Sequence, residues 1–420
     1  MNRRSAVGFN RRCSAVAHGC ITAGLYLFGI SLASTKSGLD IAVSIVSLGV
    51  LCAAVSGRLT AVVSGSPARG VLRWGAAFLT AAALSLVGAA DPASGAKRFV
   101  TLLGFAGLTL GVLATEDERT LHRVIVAVAL MCAVQAVIAV LQHVTGIDLR
   151  GRTLEAHARG RGTLGYPNDL GFVYGVVIPF LAAAALAGSD RRTRLILGIS
   201  LVFSLVGLGV TFTRGAWLGV FVGLLAMGAL RDRRLLAGAA ILALLAVAVP
   251  GVRHRIVGTS PGTETARIRF VRLTPPLIAE RPILGWGLDG FREVFYRRYP
   301  DFPEQGHFHP HNVLLSVAFQ MGIIGLIGFL GLFGAAAAHC IRTTVHDRSA
   351  TGWLAAGCLG SIADFFVHGM FDEPLRAYQA PYAMFFVMAV VLRLGSAGLR
   401  PPRSGSVADA SDGEPSRCSQ

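Results

Sequence analysis

Apolar runs separated by short polar connections organise almost the whole chain. They fall at roughly 16–33, 40–56, 74–90, 98–115, 123–144, 170–187, 195–212, 216–230, 235–250, 313–338, 353–371 and 380–394. In lipid, a backbone must satisfy its own hydrogen bonds, and open sheet edges are not viable. The pattern therefore predicts an all-α, polytopic integral membrane helical bundle with about 12 transmembrane helices. Several of the runs are short for a hydrocarbon core of about 30 Å.

One long polar stretch interrupts this rhythm. Pro250 to Val313 carries nine arginines: Arg253, Arg255, Arg267, Arg269, Arg272, Arg281, Arg292, Arg297 and Arg298. It closes with His307-Phe308-His309-Pro310-His311-Asn312, directly before the next apolar run. Residues 395–420 are rich in Ser, Gly and Pro and lack apolar content, which predicts a disordered tail. The expected organisation is a transmembrane domain over 1–394, with a large loop at 251–312, followed by that tail.

Charge sets the expected orientation. With the N-terminus in the cytoplasm, the cytoplasmic connections carry Arg58, Arg69 and Arg73; Arg119 and Arg123; Arg191, Arg192 and Arg194; Arg231, Arg233 and Arg234; Arg342 and Arg348. Such a bias places both termini inside. The first run also has the outline of a signal peptide, with Ser31-Leu32-Ala33 at the cleavage position. Cleavage there would leave an odd number of spans and disturb the charge alternation. Two outward connections break the rule: 145–169, with Arg150, Arg152, Arg159 and Arg161, and the 251–312 loop. Long loops cross regardless of charge. A negatively charged substrate on the outer face would explain the excess.

Composition narrows the class. Hydrophobic residues make up 53% of the 420, and charged residues only 15%. The net charge of +16 is carried by arginine, since Lys36 and Lys97 are the only lysines. This balance fits anionic lipid headgroups. No basic soluble module exists to hold nucleic acid. Walker A, dinucleotide-binding and HExxH motifs are absent from the sequence. The cysteines are scattered without CxxC spacing and read as packing residues. Neither a cofactor nor a metal is expected.

The outward segments hold the candidate chemistry. His311, at the start of a helix, has the side chain for a general base that takes a proton from a sugar hydroxyl. The alternative is a helix-start residue with no chemistry. His307, His309 and His311 share one face of an extended segment and resemble a zinc cluster, but no outward carboxylate is evident from the sequence to complete it. Arg214 sits in a very short turn, Thr213-Arg214-Gly215, where a charge is costly unless paired or used. Its guanidinium suits phosphate oxygens, or it snorkels to the interface. Thr263 to Val271 predicts an amphipathic surface helix carrying Arg267. Arg159-Gly160-Arg161-Gly162 would let backbone N–H groups approach a phosphate. Asp364 and His368 lie one helical turn apart near an outer helix end.

Taken in order, Gly165-Tyr166-Pro167-Asn168, Thr213-Arg214-Gly215, Arg267, Arg281-Pro282-Ile283-Leu284-Gly285-Trp286-Gly287, His311-Asn312 and Met321-Gly322-Ile323-Ile324-Gly325 resemble the O-antigen ligase / O-antigen polymerase superfamily. The resemblance covers most of residues 95–395. It implies a metal-independent, inverting glycosyltransferase that moves a glycan from undecaprenyl diphosphate to an acceptor hydroxyl. The acceptor is lipid A–core for a ligase and another glycan repeat unit for a polymerase. Carried over by position, His311 is the base and Arg214, Arg267, Arg161 and Arg281 hold the diphosphate. Asn312, Asn168, His309, Asp364 and His368 are expected as supporting residues. Two departures stand out: Gln320 occupies a position where many relatives carry Glu, and the large loop is modest. The expected location is the bacterial inner membrane with a periplasmic active site. The reading favoured here is ligase, and the rival from another class is a lipid-linked glycan transporter. A transporter predicts polar groups at the bilayer midplane, where Gln135 is one of few.

Overall fold

In the computed structural model the described residues are 3–64, 68–154, 158–188, 190–248, 261–303 and 309–397. The expected tail from 398 onward, and Arg253, Arg255 and His307, lie outside them. Fifteen helices occur among the described residues. In chain order these are α1 Arg3–Ser31, α2 Lys36–Val55, α3 Arg58–Ser64, α4 Arg69–Leu84, α5 Pro92–Ala114, α6 Glu118–Thr145, α7 Pro167–Ala187 and α8 Arg191–Thr211. They continue as α9 Arg214–Leu230, α10 Arg234–Ala248, α11 Pro261–Glu280, α12 Phe291–Arg298, α13 Val313–His346, α14 Ala350–Gly369 and α15 Gln379–Ala397.

The chain is an all-helical polytopic membrane protein. Eight of the described helices are long and apolar enough to cross a membrane: α1, α2, α5, α6, α7, α8, α13 and α14. Parts of α9, α10 and α15 are shorter apolar helices. The run at 74–90 forms α4, whose 16 residues include Arg69 and Arg73. At 1.5 Å per residue that helix is only about 24 Å long, less than the core it would have to cross.

Helix α7 is the axis of the bundle. Every residue from Leu170 to Ala184 is buried, with α14, α8, α15 and α9 packed around it. A helix that is apolar on all sides belongs in such a position. Helix α13 is broken at Gly322, whose φ of 62° and ψ of −162° interrupt the helical hydrogen bonds. The Arg281–Gly287 segment fills the break. Trp286 N–H donates to the Phe319 carbonyl (2.8 Å), Gly287 N–H to Gln320 (3.0 Å), and Ile323 N–H to Pro282 (2.8 Å). A Cβ at Gly322 would lie 2.2 Å from the Ile283 carbonyl oxygen, so only glycine allows this approach.

The helices of the large loop pack on that break. Phe270 and Leu277 of α11, Phe291 and Phe295 of α12, Phe302 and Phe319 of α13 form a second aromatic core. The expected amphipathic helix is present as α11. Its apolar face is covered by protein, while Ile268 and Arg269 are exposed.

Candidate functional site

Three helix N-termini converge with one turn. Asn312 caps α13, its Oδ1 accepting from Leu314 N–H (3.0 Å) and Leu315 N–H (3.1 Å), and its Nδ2 reaches the Met370 carbonyl (3.4 Å). This cap fixes the residue before it. His311 has a φ of 54°, the left-handed region that a non-glycine residue rarely occupies. Strain of this kind persists only where surrounding contacts over-determine it, and it concentrates at functional sites.

The turn between α14 and α15 supplies the partner. His311 Nδ1 lies 3.2 Å from Asp372 Oδ1. Asp372 Oδ1 also accepts from the Glu373 N–H (2.9 Å), and Oδ2 accepts from Asn168 Nδ2 (2.9 Å) in the first turn of α7. The Oδ1 of Asn168 accepts in turn from Arg159 (2.6 Å), which also donates to the Thr211 carbonyl (2.7 Å) and Thr213 Oγ1 (3.1 Å) beside the start of α9. One chain of hydrogen bonds therefore joins the N-termini of α7, α9 and α13 through Asp372. Each N-terminus carries roughly half a positive charge, so their convergence favours an anion.

Burial alone would push the Asp372 carboxyl up. The hydrogen bond from His311 and the charges of His309, His311 and Arg267 outweigh it and hold the carboxyl well below the usual carboxylate range. The ionised Asp372 accepts from His311 Nδ1–H and so directs the other ring nitrogen, Nε2, to take up protons. His309 stands alongside. Its Nδ1 accepts from the His311 backbone N–H (3.2 Å), and its Nε2 lies 3.7 Å from Asp372 Oδ1. Arg267 is close enough to act on Asp372 electrostatically, and its buried Nε–H has no hydrogen-bond partner among the described residues. A buried donor in this condition calls for an explanation, and a bound acceptor is one.

Behind Asp372 lies a second polar layer. Glu373 is buried, and that burial pushes its carboxyl up despite the charges of Arg98 and Arg376. Gln320 Nε2 donates to Ser316 (2.7 Å) and reaches Glu373 Oε1 (3.3 Å), while its Oε1 accepts from Asp289 N–H (3.1 Å). Arg376 pairs with Asp289, and Arg98 donates to the Leu375 carbonyl. This layer ties the 370–378 turn to α5, α13 and the segment before α12. A Glu at position 320 would put a second acid beside Glu373, so the glutamine suits this neighbourhood.

Asp364 and His368 lie deeper, on α14. Both Asp364 oxygens are buried without hydrogen bonds among the described residues. The carboxylate fits against Gly175 of α7 and Gly219 of α9, where a Cβ would lie 2.3 and 2.1 Å from it. The His368 ring stacks on Phe172 with centroids 3.5 Å apart. It also abuts Gly215, where a Cβ would come 2.5 Å from the ring, so His368 reaches the start of α9 next to Arg214.

Two predicted arginines stand apart from this centre. Arg281 donates to the Gly88 carbonyl (2.7 Å) and lies over Trp286 at 4.3 Å, anchoring the segment that fills the α13 break. Arg161 pairs with Asp148 (3.2 Å) on the wall of a separate cavity. Gln135, the mid-span polar residue, holds a loop in place: its Oε1 accepts from Thr163 N–H (2.8 Å). Sequence reasoning missed Asp372, Glu373 and the positioning role of Arg159. Two adjacent acids in the turn between α14 and α15, Asp372-Glu373, were the available signal.

The same centre could hold a metal. One ligand atom each from His309, His311 and Asp372 lie within 4.8 Å of one another. The carboxylate missing from the sequence reading of the histidine cluster is therefore Asp372, which folding brings in.

Comparison with known proteins bears out the resemblance. Residues 199–330 match the family model described as O-Antigen ligase. The matched segment runs from α8 through α9, the large loop and the N-terminal half of α13, and so includes Arg214, Arg267, Arg281, His309, His311 and Asn312. The chain is also similar to a protein named O-antigen ligase from Salmonella typhimurium, with 31% identity over 159 residues. That similarity covers 34% of this chain and spans 38% of the length of the relative.

Proposed function

We propose that this chain is a membrane glycosyltransferase that moves a glycan from undecaprenyl diphosphate to an acceptor hydroxyl at the outer membrane face. The specific reading is an O-antigen ligase acting on lipid A–core. The observation that carries it is His311 Nδ1 held 3.2 Å from Asp372 Oδ1, near an Arg267 Nε–H that has no hydrogen-bond partner among the described residues, where three helix N-termini meet.

The chemistry follows from that arrangement. The acceptor oxygen attacks the anomeric carbon and its proton passes to His311 Nε2, leaving an imidazolium that Asp372 stabilises. The C1–O bond to the diphosphate breaks on the opposite face, which inverts the anomeric centre. The departing diphosphate keeps the electron pair. Arg267, Arg214 and the converging helix N-termini offset its charge in a site of low dielectric, where such donors act most strongly. The lipid diphosphate carries its own activation, so no ATP is required. His309, Asn168, Asn312 and Arg159 hold the base and its carboxylate. The binding of Gln135 to the Thr163 backbone supports the enzyme reading over a transporter, because this mid-span polar group has a structural task.

The test is transfer from a purified undecaprenyl-diphosphate glycan to lipid A–core, in EDTA and without ATP, by wild type and His311→Ala. Core modification by wild type, lost in a folded His311→Ala, supports the reading. Longer glycans on the lipid donor without core acceptor would make the chain a polymerase of the same superfamily. Donor movement across proteoliposomes with no transfer would contradict glycosyl transfer altogether, and transfer abolished by EDTA and restored by zinc would give the His309–His311–Asp372 set to a metal.

A further inference from the structure

A cavity of about 660 Å³ opens at the same end of the bundle, and none of its wall residues belongs to the His311 centre. Lys36, Arg150, Arg152 and Arg161 line it, and among the described residues Asp148 is the one carboxylate in its wall. Asp148 is already committed. Its Oδ1 accepts from the Arg150 and Arg152 N–H groups (2.9 Å each), and Oδ2 from the Arg152 (3.0 Å) and Arg161 (3.2 Å) side chains. Within the wall four cations face one carboxylate, with Asp40 and Asp169 acting on Lys36 from outside it, so the lining itself carries net positive charge.

The wall is built rather than incidental. Gln142, 2% exposed, accepts from Arg161 N–H (3.0 Å) and Gly162 N–H (2.9 Å) and donates back to the Gly162 carbonyl (2.7 Å). Thr163 Oγ1 then ties this segment to the Ser34 carbonyl (2.6 Å) in the turn before α2. Gln379, also 2% exposed, lines the cavity, and its Oε1 has no hydrogen-bond partner among the described residues. A buried acceptor next to fixed cations suits a ligand that brings both hydroxyl donors and a negative charge. Gln379 begins the helix that follows the Asp372 turn, and Asp169 feels the charges of both Lys36 and Asp372. The two sites therefore adjoin.

We infer that this cavity is a second anion subsite, which takes a sugar carrying a phosphate or carboxylate. Its place beside the transfer centre, as a subsite for a charged sugar of the acceptor or donor glycan, rests on the proposed function. The binding itself does not.

The test has a binding arm and a kinetic arm, with the full chain in nanodiscs of zwitterionic lipid. Ligand-observed NMR compares glucose 6-phosphate with glucose on wild type, Lys36→Ala/Arg150→Ala and Arg267→Ala. Both substituted cavity cations are exposed, and thermal unfolding checks that the double variant folds. Glucose 6-phosphate should bind wild type and Arg267→Ala alike, glucose far less, and the double variant should bind about tenfold more weakly per cation removed. Equal binding by wild type and the double variant, or loss only in Arg267→Ala, overturns the subsite. In transfer assays a rise in the double variant's KM for a phosphorylated acceptor assigns the anion to the acceptor, and a rise for the donor assigns it to the donor. Unchanged KM for both removes the cavity from the reaction. Absence of any transfer by wild type contradicts the proposed function while the binding result stands.

Discussion

The two ends of the bundle are both rich in arginine and use it differently. At the end that carries the 347–349 connection, Arg231 donates to the carbonyls of Thr344, Asp347, Arg348 and Ser349 and lies over Trp353. Arg393 donates to Thr115 (2.8 Å), Arg194 to Gly188 (2.9 Å), and Arg58 binds Ser14 and Glu116. Arg231, Arg393 and Arg194 meet carbonyls at or just beyond helix C-termini, which the helices leave unsatisfied, while Arg58 is held by a hydroxyl and a carboxylate. At the other end the N-termini of α7, α9 and α13 converge on Asp372, and although Arg159, Arg281 and Arg98 donate to carbonyls there as well, not every guanidinium is used up in this way. The buried Nε–H of Arg267 has no hydrogen-bond partner among the described residues, and His309 and His311 gather around the Asp372 carboxyl. The same residue type closes the structure at one end and equips it for an anion at the other. What differs is whether the guanidinium is spent on main-chain carbonyls, as at Arg231, or keeps a buried donor with no partner among the described residues, as at Arg267.

The comparison breaks most sharply at Asp372. Asp372→Asn removes the charge that sets the His311 tautomer and should slow transfer by about 10²–10⁴-fold, the range of a lost general-base contribution, read as initial rates on folded protein. Arg267→Ala should follow, with a loss of about 10²–10³-fold, as for removal of one donor to developing charge. Single-turnover rates at saturating donor would show it. Arg231→Ala, at the opposite end, should leave the rate per folded molecule unchanged. It should lower stability by about 1–3 kcal/mol, the usual cost of unsatisfied buried groups, seen in thermal unfolding. A slowed Arg231→Ala with intact stability would erase the distinction between the ends.

The smallest effect is in pH dependence. Burial raises the Glu373 carboxyl above its ordinary value of 4.5 in the folded chain. Its contribution is therefore intact below 4.5 and is lost as pH rises toward the raised value. Asp372 has the opposite sign: its contribution is intact above the ordinary carboxylate value and is lost as pH falls through the depressed one. Glu373→Gln should flatten the decline in Tm on raising the pH, and Asp372→Asn should flatten the decline on lowering it.

Much of the fold is readable from apolar runs, because a span is a local property of about 20 residues. The exceptions are instructive. The 74–90 run contains enough apolar residues for a span but forms a helix of only 16. Pro282 to Gly287 reads locally as a turn, yet its task is to satisfy the carbonyls freed at Gly322, and that need is created elsewhere in the chain. At the site, His311, Asn312 and Asn168 were legible because each sits at a helix start with a recognisable capping or polar pattern. Asp372 was not. Its partner His311 lies 61 positions earlier, and no local pattern links a turn acid to a histidine across that distance. Arg161 and Arg281 show the converse: a basic residue in the expected order along the chain can stand apart from the His311–Asp372 pair.

The most direct measurement is glycan transfer by His311→Ala with and without added imidazole, on protein shown to be folded. The account predicts that the substitution abolishes most of the transfer and that imidazole restores part of it, with a pH dependence set by the added base. Transfer at the wild-type rate by His311→Ala would contradict it.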